Sequence, residues 1–99
     1  MDFQIAWTEL AIADLRSVVE YVSTDNPEAA GILGEDVIAA VEVLRSFPFI
    51  GPSYPRSSPG DVQEILCRKW YRIFYRVIED QSRVEILRIW HGARDEPKL

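Results

Sequence analysis

The strongest constraint on what this chain can fold into is the stretch from Trp70 to Asp95. Two runs dense in β-branched and aromatic residues flank a polar break at Glu79 to Ser82. Such a pattern reads as a β-hairpin. Side chains alternate along a strand, so Tyr71, Ile73, Tyr75 and Val77 share one face, and Trp70, Arg72, Phe74 and Arg76 share the other. An unpaired buried charge is too costly for a dry core. The first set is therefore expected to build the core and the second to lie open. The second run is harder to phase. Ile86, Arg88 and Trp90 oppose Glu85, Leu87, Ile89 and His91, and both sets mix apolar with polar. The run breaks at Gly92, leaving His91, Arg94 and Asp95 at the strand's exit, where a site is readily built.

Upstream, Phe3, Ile5 and Trp7 alternate in a short first strand over Asp2 to Trp7. Thr8 is placed to cap a helix over 8–23, in which Ala11, Leu15, Val18 and Val22 form an apolar stripe. Asn26-Pro27-Glu28 signals a second helix start, and Ala30, Leu33, Val37, Val41 and Leu44 continue an apolar stripe through a helix over 27–47. The short link Thr24–Asn26 makes the two helices an antiparallel hairpin. Gly31 and Gly34 inside the second helix suggest close packing. Pro48, Pro52, Pro55 and Pro59 make 48–60 an extended connection before a strand over Val62 to Cys67. The order β-α-α-β-β-β predicts an α+β fold, with the helical hairpin packed on one face of a mainly antiparallel sheet. Leu15, Val18, Val37, Val41, Ile73 and Tyr75 are the expected core.

Ninety-nine residues are expected to make one domain over 1–99, burying roughly 65% of the unfolded surface. No apolar run approaches the ~18–20 residues of a membrane span, and no signal peptide is evident after Met1-Asp2. A cytoplasmic protein is the expectation. One cysteine, Cys67, excludes an internal disulfide, and with one histidine it argues against a zinc site; no cofactor is expected. The net charge of −5 is unevenly spread. Residues 1–55 carry nine acids against two bases, and residues 56–99 nine bases against seven acids. An anionic partner should meet the C-terminal half, although the overall acidity argues against a protein built to grip phosphate backbones.

Arg72, Arg76, His91 and Arg94 concentrate the groups suited to polar chemistry. Guanidinium groups can hold a phosphate and a histidine can move a proton. The same arginines can equally solvate an open sheet face. Aromatic-arginine triplets such as Trp70-Tyr71-Arg72 can stack bases, although strand aromatics more often belong to a core. There is no glycine-rich phosphate loop and no nucleophile elbow.

Several motifs, taken in order, resemble the ParE branch of the RelE/ParE toxin superfamily. They are Trp7-Thr8-Glu9, Ala11 with Asp14-Leu15, Asn26-Pro27-Glu28-Ala29-Ala30, and Leu44 with Pro48 and Gly51. Tyr71-Arg72-Ile73-Phe74-Tyr75-Arg76-Val77 and His91-Gly92-Ala93-Arg94-Asp95 complete the set. The resemblance implies the same β-α-α-β-β-β fold and the toxin half of a bacterial toxin–antitoxin module of the plasmid-stabilisation kind. A cognate antitoxin is the implied partner, meeting Trp70, Arg72, Phe74, Arg76 and Arg94 through an acidic amphipathic helix or an added strand. RelE-like relatives cleave messenger RNA on the ribosome, and on that reading Arg72, His91 and Arg94 are the candidate catalytic residues. Gln63 and Ile65 stand where such enzymes place lysines, however, and no tyrosine follows before Leu99. The resemblance therefore points to a ParE-like inhibitor of DNA gyrase that is not an enzyme. The alternatives are a ribosome-dependent endoribonuclease and a non-toxic binding module.

Overall fold

The computed structural model describes residues 2–54 and 61–92. Strand β1 (Gln4–Trp7) leads into helix α1 (Glu9–Asp25), then helix α2 (Pro27–Glu42) with a 3-10 turn at Val43–Arg45. Strands β2 (Gln63–Cys67), β3 (Tyr71–Ile78) and β4 (Arg83–His91) follow. The sheet order is β1-β4-β3-β2, with β1 parallel to β4 and the other pairs antiparallel. None of the described helices is long and apolar enough to cross a membrane.

Capping fixes the helices. The Thr8 hydroxyl accepts from the Ala11 amide at 3.2 Å, and the Asn26 side chain accepts from the Ala29 amide at 3.1 Å. Asn26 also ends α1, donating its own amide to the Val22 carbonyl at 2.9 Å. One extended residue thus joins the two helices, where three were expected, and α1 runs two residues further than the apolar stripe suggests. α2 tightens into 3-10 geometry at Val43, short of the expected end at Phe47. Neither helical glycine is required by close packing: a Cβ at Gly34 would meet Val19 at 3.5 Å, an ordinary van der Waals contact, and the space around Gly31 is open.

The main core lies between the hairpin and the sheet. Leu33, Val37, Val41 and Leu44 meet Ile73, Tyr75, Val84, Ile86 and Ile89, all essentially inaccessible. Val37, Val41, Ile73 and Tyr75 are buried as expected, whereas Leu15 and Val18 are half-buried against the margin of this core. The phase of β4 explains its ambiguous pattern. Register shifts at Phe74/Tyr75, where Phe74 pairs with Arg88 but Tyr75 pairs with Ile86. Leu87 is the extra residue of this bulge, so alternation inverts across it.

The outer face corrects the expectation of an open surface. Phe74 is fully buried beneath Tyr54 and Val62, with Leu87 and Trp90 packed alongside. The Tyr54 ring meets it edge-on at 5.0 Å. The chain covers this face with its own connection. Tyr54 donates its amide to Val62 at 2.8 Å and Glu64 donates to the Pro52 carbonyl at 3.0 Å. At the root of the loop the Tyr75 hydroxyl accepts from the Gly51 amide at 2.9 Å, and buried Gln63 donates to the Gly51 carbonyl at 2.7 Å. Glycine is required there, because an added Cβ would come within 2.5 Å of the Glu64 carbonyl oxygen.

Candidate partner-binding site

Of the residues expected on the outer face, Arg76 and Trp70 are exposed, but Trp70 belongs to the turn before β3. Arg68 and Lys69 adopt left-handed φ values of 55° and 69° in that turn, and the Trp70 carbonyl receives the Gly92 amide at 2.5 Å. The Lys69 ammonium lies 5.3 Å from the Trp70 ring. Arg72 is not displayed as an open cation. Its Nε donates to Glu64 at 2.9 Å, and its guanidinium stacks 4.9 Å from the Phe74 ring. Arg94 lies outside the described residues.

A second arginine, Arg88, has an equivalent arrangement that sequence reading did not single out. Its Nε and Nη2 donate to the two Asp14 oxygens at 2.7 and 3.0 Å, while Asp14 also accepts the Ile89 amide at 3.1 Å. The fork geometry matches a carboxylate on both oxygens. This bonding to Asp14 raises the Arg88 pKa against the opposing effect of burial. The ring of Trp90 lies 4.9 Å from the Arg88 guanidinium. Asp14 sits 74 residues away in sequence, so no local spacing reveals the pair. The one available hint is its place beside the apolar stripe of α1.

Between α1 and β4 runs a groove of about 660 Å³. Val18, Val22 and Ile89 supply apolar lining, and Tyr21, Tyr71, Trp90 and His91 add aromatic walls. Tyr21 is 81% exposed, an unusual commitment for a large aromatic side chain. The Asp14–Arg88 pair closes in from the side. His91 does lie in this groove, edge-on to Tyr71 at 5.3 Å; Arg72 and Arg88 are each engaged by a carboxylate, whereas exposed Arg76 on β3 donates to the Asp61 backbone carbonyl at 3.4 Å.

A helical hairpin on one face of this four-stranded mixed sheet defines the RelE/ParE class of toxin folds. The chain matches the family described as the ParE toxin of the type II toxin–antitoxin system parDE over residues 5–96, and it belongs to that family. It is 31% identical to toxin RelE2 of Caulobacter vibrioides across 92% of this chain and 97% of that protein. The chromosomal ParDE system of P. aeruginosa superposes with a TM-score of 0.75 at 26% identity, covering 90% of this chain and 95% of the other. The RelBE2 toxin–antitoxin complex of Mycobacterium tuberculosis shares the fold at a TM-score of 0.67 and 22% identity, with 92% and 99% covered.

Proposed function

We propose that this toxin acts in the cytoplasm as a ParE-like inhibitor of DNA gyrase and is neutralised by a cognate antitoxin encoded beside it. The carrying observation is the internal pairing of Arg72 with Glu64 and of Arg88 with Asp14. A ribonuclease of this fold needs cations that meet a scissile phosphate and its developing charge. Here two guanidinium groups on the sheet already serve carboxylates of the same chain, and each would have to give up a bidentate partner first. Gln63, at a position where a lysine would assist such chemistry, is buried and spends its side chain on Gly51. The family membership supports the gyrase reading, and the resemblance of the solved toxin–antitoxin complexes supports the antitoxin partner.

Purified toxin should block supercoiling by gyrase and leave ribosome-bound messages intact, with the antitoxin restoring supercoiling. His91→Ala should leave toxicity unchanged, and charge reversal at Arg94 should weaken it. Ribosome-dependent message cleavage that disappears in His91→Ala would overturn the proposal in favour of the nuclease.

A further inference from the structure

The turn between β2 and β3 is built against its own backbone preferences. Arg68 and Lys69 are both left-handed, a conformation that glycine adopts at little cost and long side chains avoid. Two such residues in succession place strain where a glycine-containing hairpin loop carries none. The surroundings hold it in place. The Arg68 guanidinium meets Asp36 of α2 at 2.6 Å, and the Trp70 amide donates to the Arg68 carbonyl at 2.7 Å. The Trp70 carbonyl takes the Gly92 amide from the end of β4, and an added Cβ at Gly92 would stand 3.1 Å from that carbonyl oxygen. The turn is a braced projection.

It displays one cation beside one aromatic ring. Arg68 is committed to Asp36, whereas no described carboxylate pairs with Lys69, whose ammonium lies 5.3 Å from the Trp70 ring. Of the triplet Trp70-Tyr71-Arg72, only Trp70 is exposed, since Tyr71 lines the α1–β4 groove and Arg72 is bound to Glu64. A flat open ring next to an ammonium matches a nucleic-acid strand, the ring for a base and the cation for a phosphate. An acidic protein surface uses the cation but has no need of the ring. The basic excess of residues 56–99 favours an anion here, and the overall charge of −5 keeps the affinity for free DNA low. DNA already held by an enzyme removes that difficulty, because protein contacts then bring the toxin to it.

We propose that the turn at Arg68, Lys69 and Trp70 touches the DNA held by gyrase, with Lys69 on a backbone phosphate and Trp70 stacked on a base exposed at the break that gyrase opens. The inference rests on the gyrase reading and adds a nucleic-acid contact which that reading does not require. It also accounts for the strain, because glycine at position 69 would relieve the backbone and remove the cation.

Three measurements on Lys69→Gly and Trp70→Ala test it: thermal unfolding, inhibition of supercoiling, and binding to gyrase without DNA. Lys69→Gly should unfold a few degrees higher as strain is released. It should nevertheless need about three- to tenfold more toxin for half-inhibition, an effect that shrinks as salt rises. Trp70→Ala should need about tenfold more, the scale of one lost base-stacking contact. Both variants should bind DNA-free gyrase as the unaltered toxin does. Undiminished inhibition by both overturns the turn as a contact. Weaker binding to DNA-free gyrase means that the turn meets protein, and overturns the DNA contact. A lower unfolding midpoint for Lys69→Gly removes the strain on which the argument stands. If the unaltered toxin leaves supercoiling intact, the gyrase reading fails and the proposal falls with it.

Discussion

The two faces of the sheet are both covered, but by different means. On the inner face, two regular helices lay continuous apolar stripes across β3 and β4. On the outer face, an irregular connection places Tyr54 and Val62 over Phe74, while Arg72 and Arg88 stack beside aromatic rings and neutralise acids. The inner face is held by burial of many similar side chains. The outer face depends on a few specific contacts and one glycine. A small layer assembled this way is more sensitive to single changes than its area suggests.

Phe74→Ala is the hardest test of that comparison. If the outer layer is a true core, the change should cost about 3–5 kcal/mol, the range expected for emptying a fully buried phenyl site. Val41→Ala on the inner face should cost roughly 2–3 kcal/mol by the same reasoning. Denaturant midpoints of both variants give the ranking, and a Phe74→Ala loss below that of Val41→Ala would mean that the outer layer merely drapes the sheet.

Gly51→Ala should come next, at about 1–3 kcal/mol, because the new methyl group overpacks against the Glu64 carbonyl and the Tyr75 hydroxyl. Thermal unfolding would register it. A variant as stable as the parent would show that the loop root has room to move.

Tyr75→Phe should have the smallest effect, about 1 kcal/mol, by leaving the Gly51 amide without its acceptor. It also carries a pH signature. Burial raises the Tyr75 pKa above its ordinary value of 10.0, and the Gly51 hydrogen bond opposes the shift in part. The unfolded chain therefore loses this proton first as pH rises, so stability is present below the ordinary value and declines above it. Cys67, raised by burial and by Asp36, declines in the same direction from 9.0 and should remain in the variant. Stability curves between neutral and strongly alkaline pH should thus be shallower for Tyr75→Phe, and parallel curves would contradict the linkage.

The inner face was legible in sequence because helices and strands repeat. Val37 and Val41 on α2, and Ile73 and Tyr75 on β3, announce themselves by spacing. The outer face was not, since nothing periodic links Tyr54 or Val62 to Phe74. Alternation correctly placed Phe74 with Arg72, but it cannot tell that Tyr54 and Val62, from either end of the connection, pack with Phe74. The bulge at Leu87 scrambled β4 for the same reason, by inserting one residue that breaks a two-residue rhythm. Partners of charge escaped as well. Arginine in a strand reads as exposed until a carboxylate from elsewhere is seen to meet it, and Asp14 and Glu64 come from other elements. Of the candidate site, His91 was visible from its position at the strand exit, whereas Tyr21 and Arg88 emerged only once α1 lay beside β4.

The single-residue joint at Asn26 carries a consequence for how this chain can vary. With no slack between the helices, the joint sets their rotational phase as well as their direction. One inserted residue would turn α2 by about 100° about its own axis, the angle between successive helical positions. Leu33, Val37 and Val41 would swing away from the sheet together, and Ile32, Asp36 and Ala40, each one position earlier, would swing inward. Relatives that keep this hairpin should therefore accept substitutions at the joint far more readily than any change in its length.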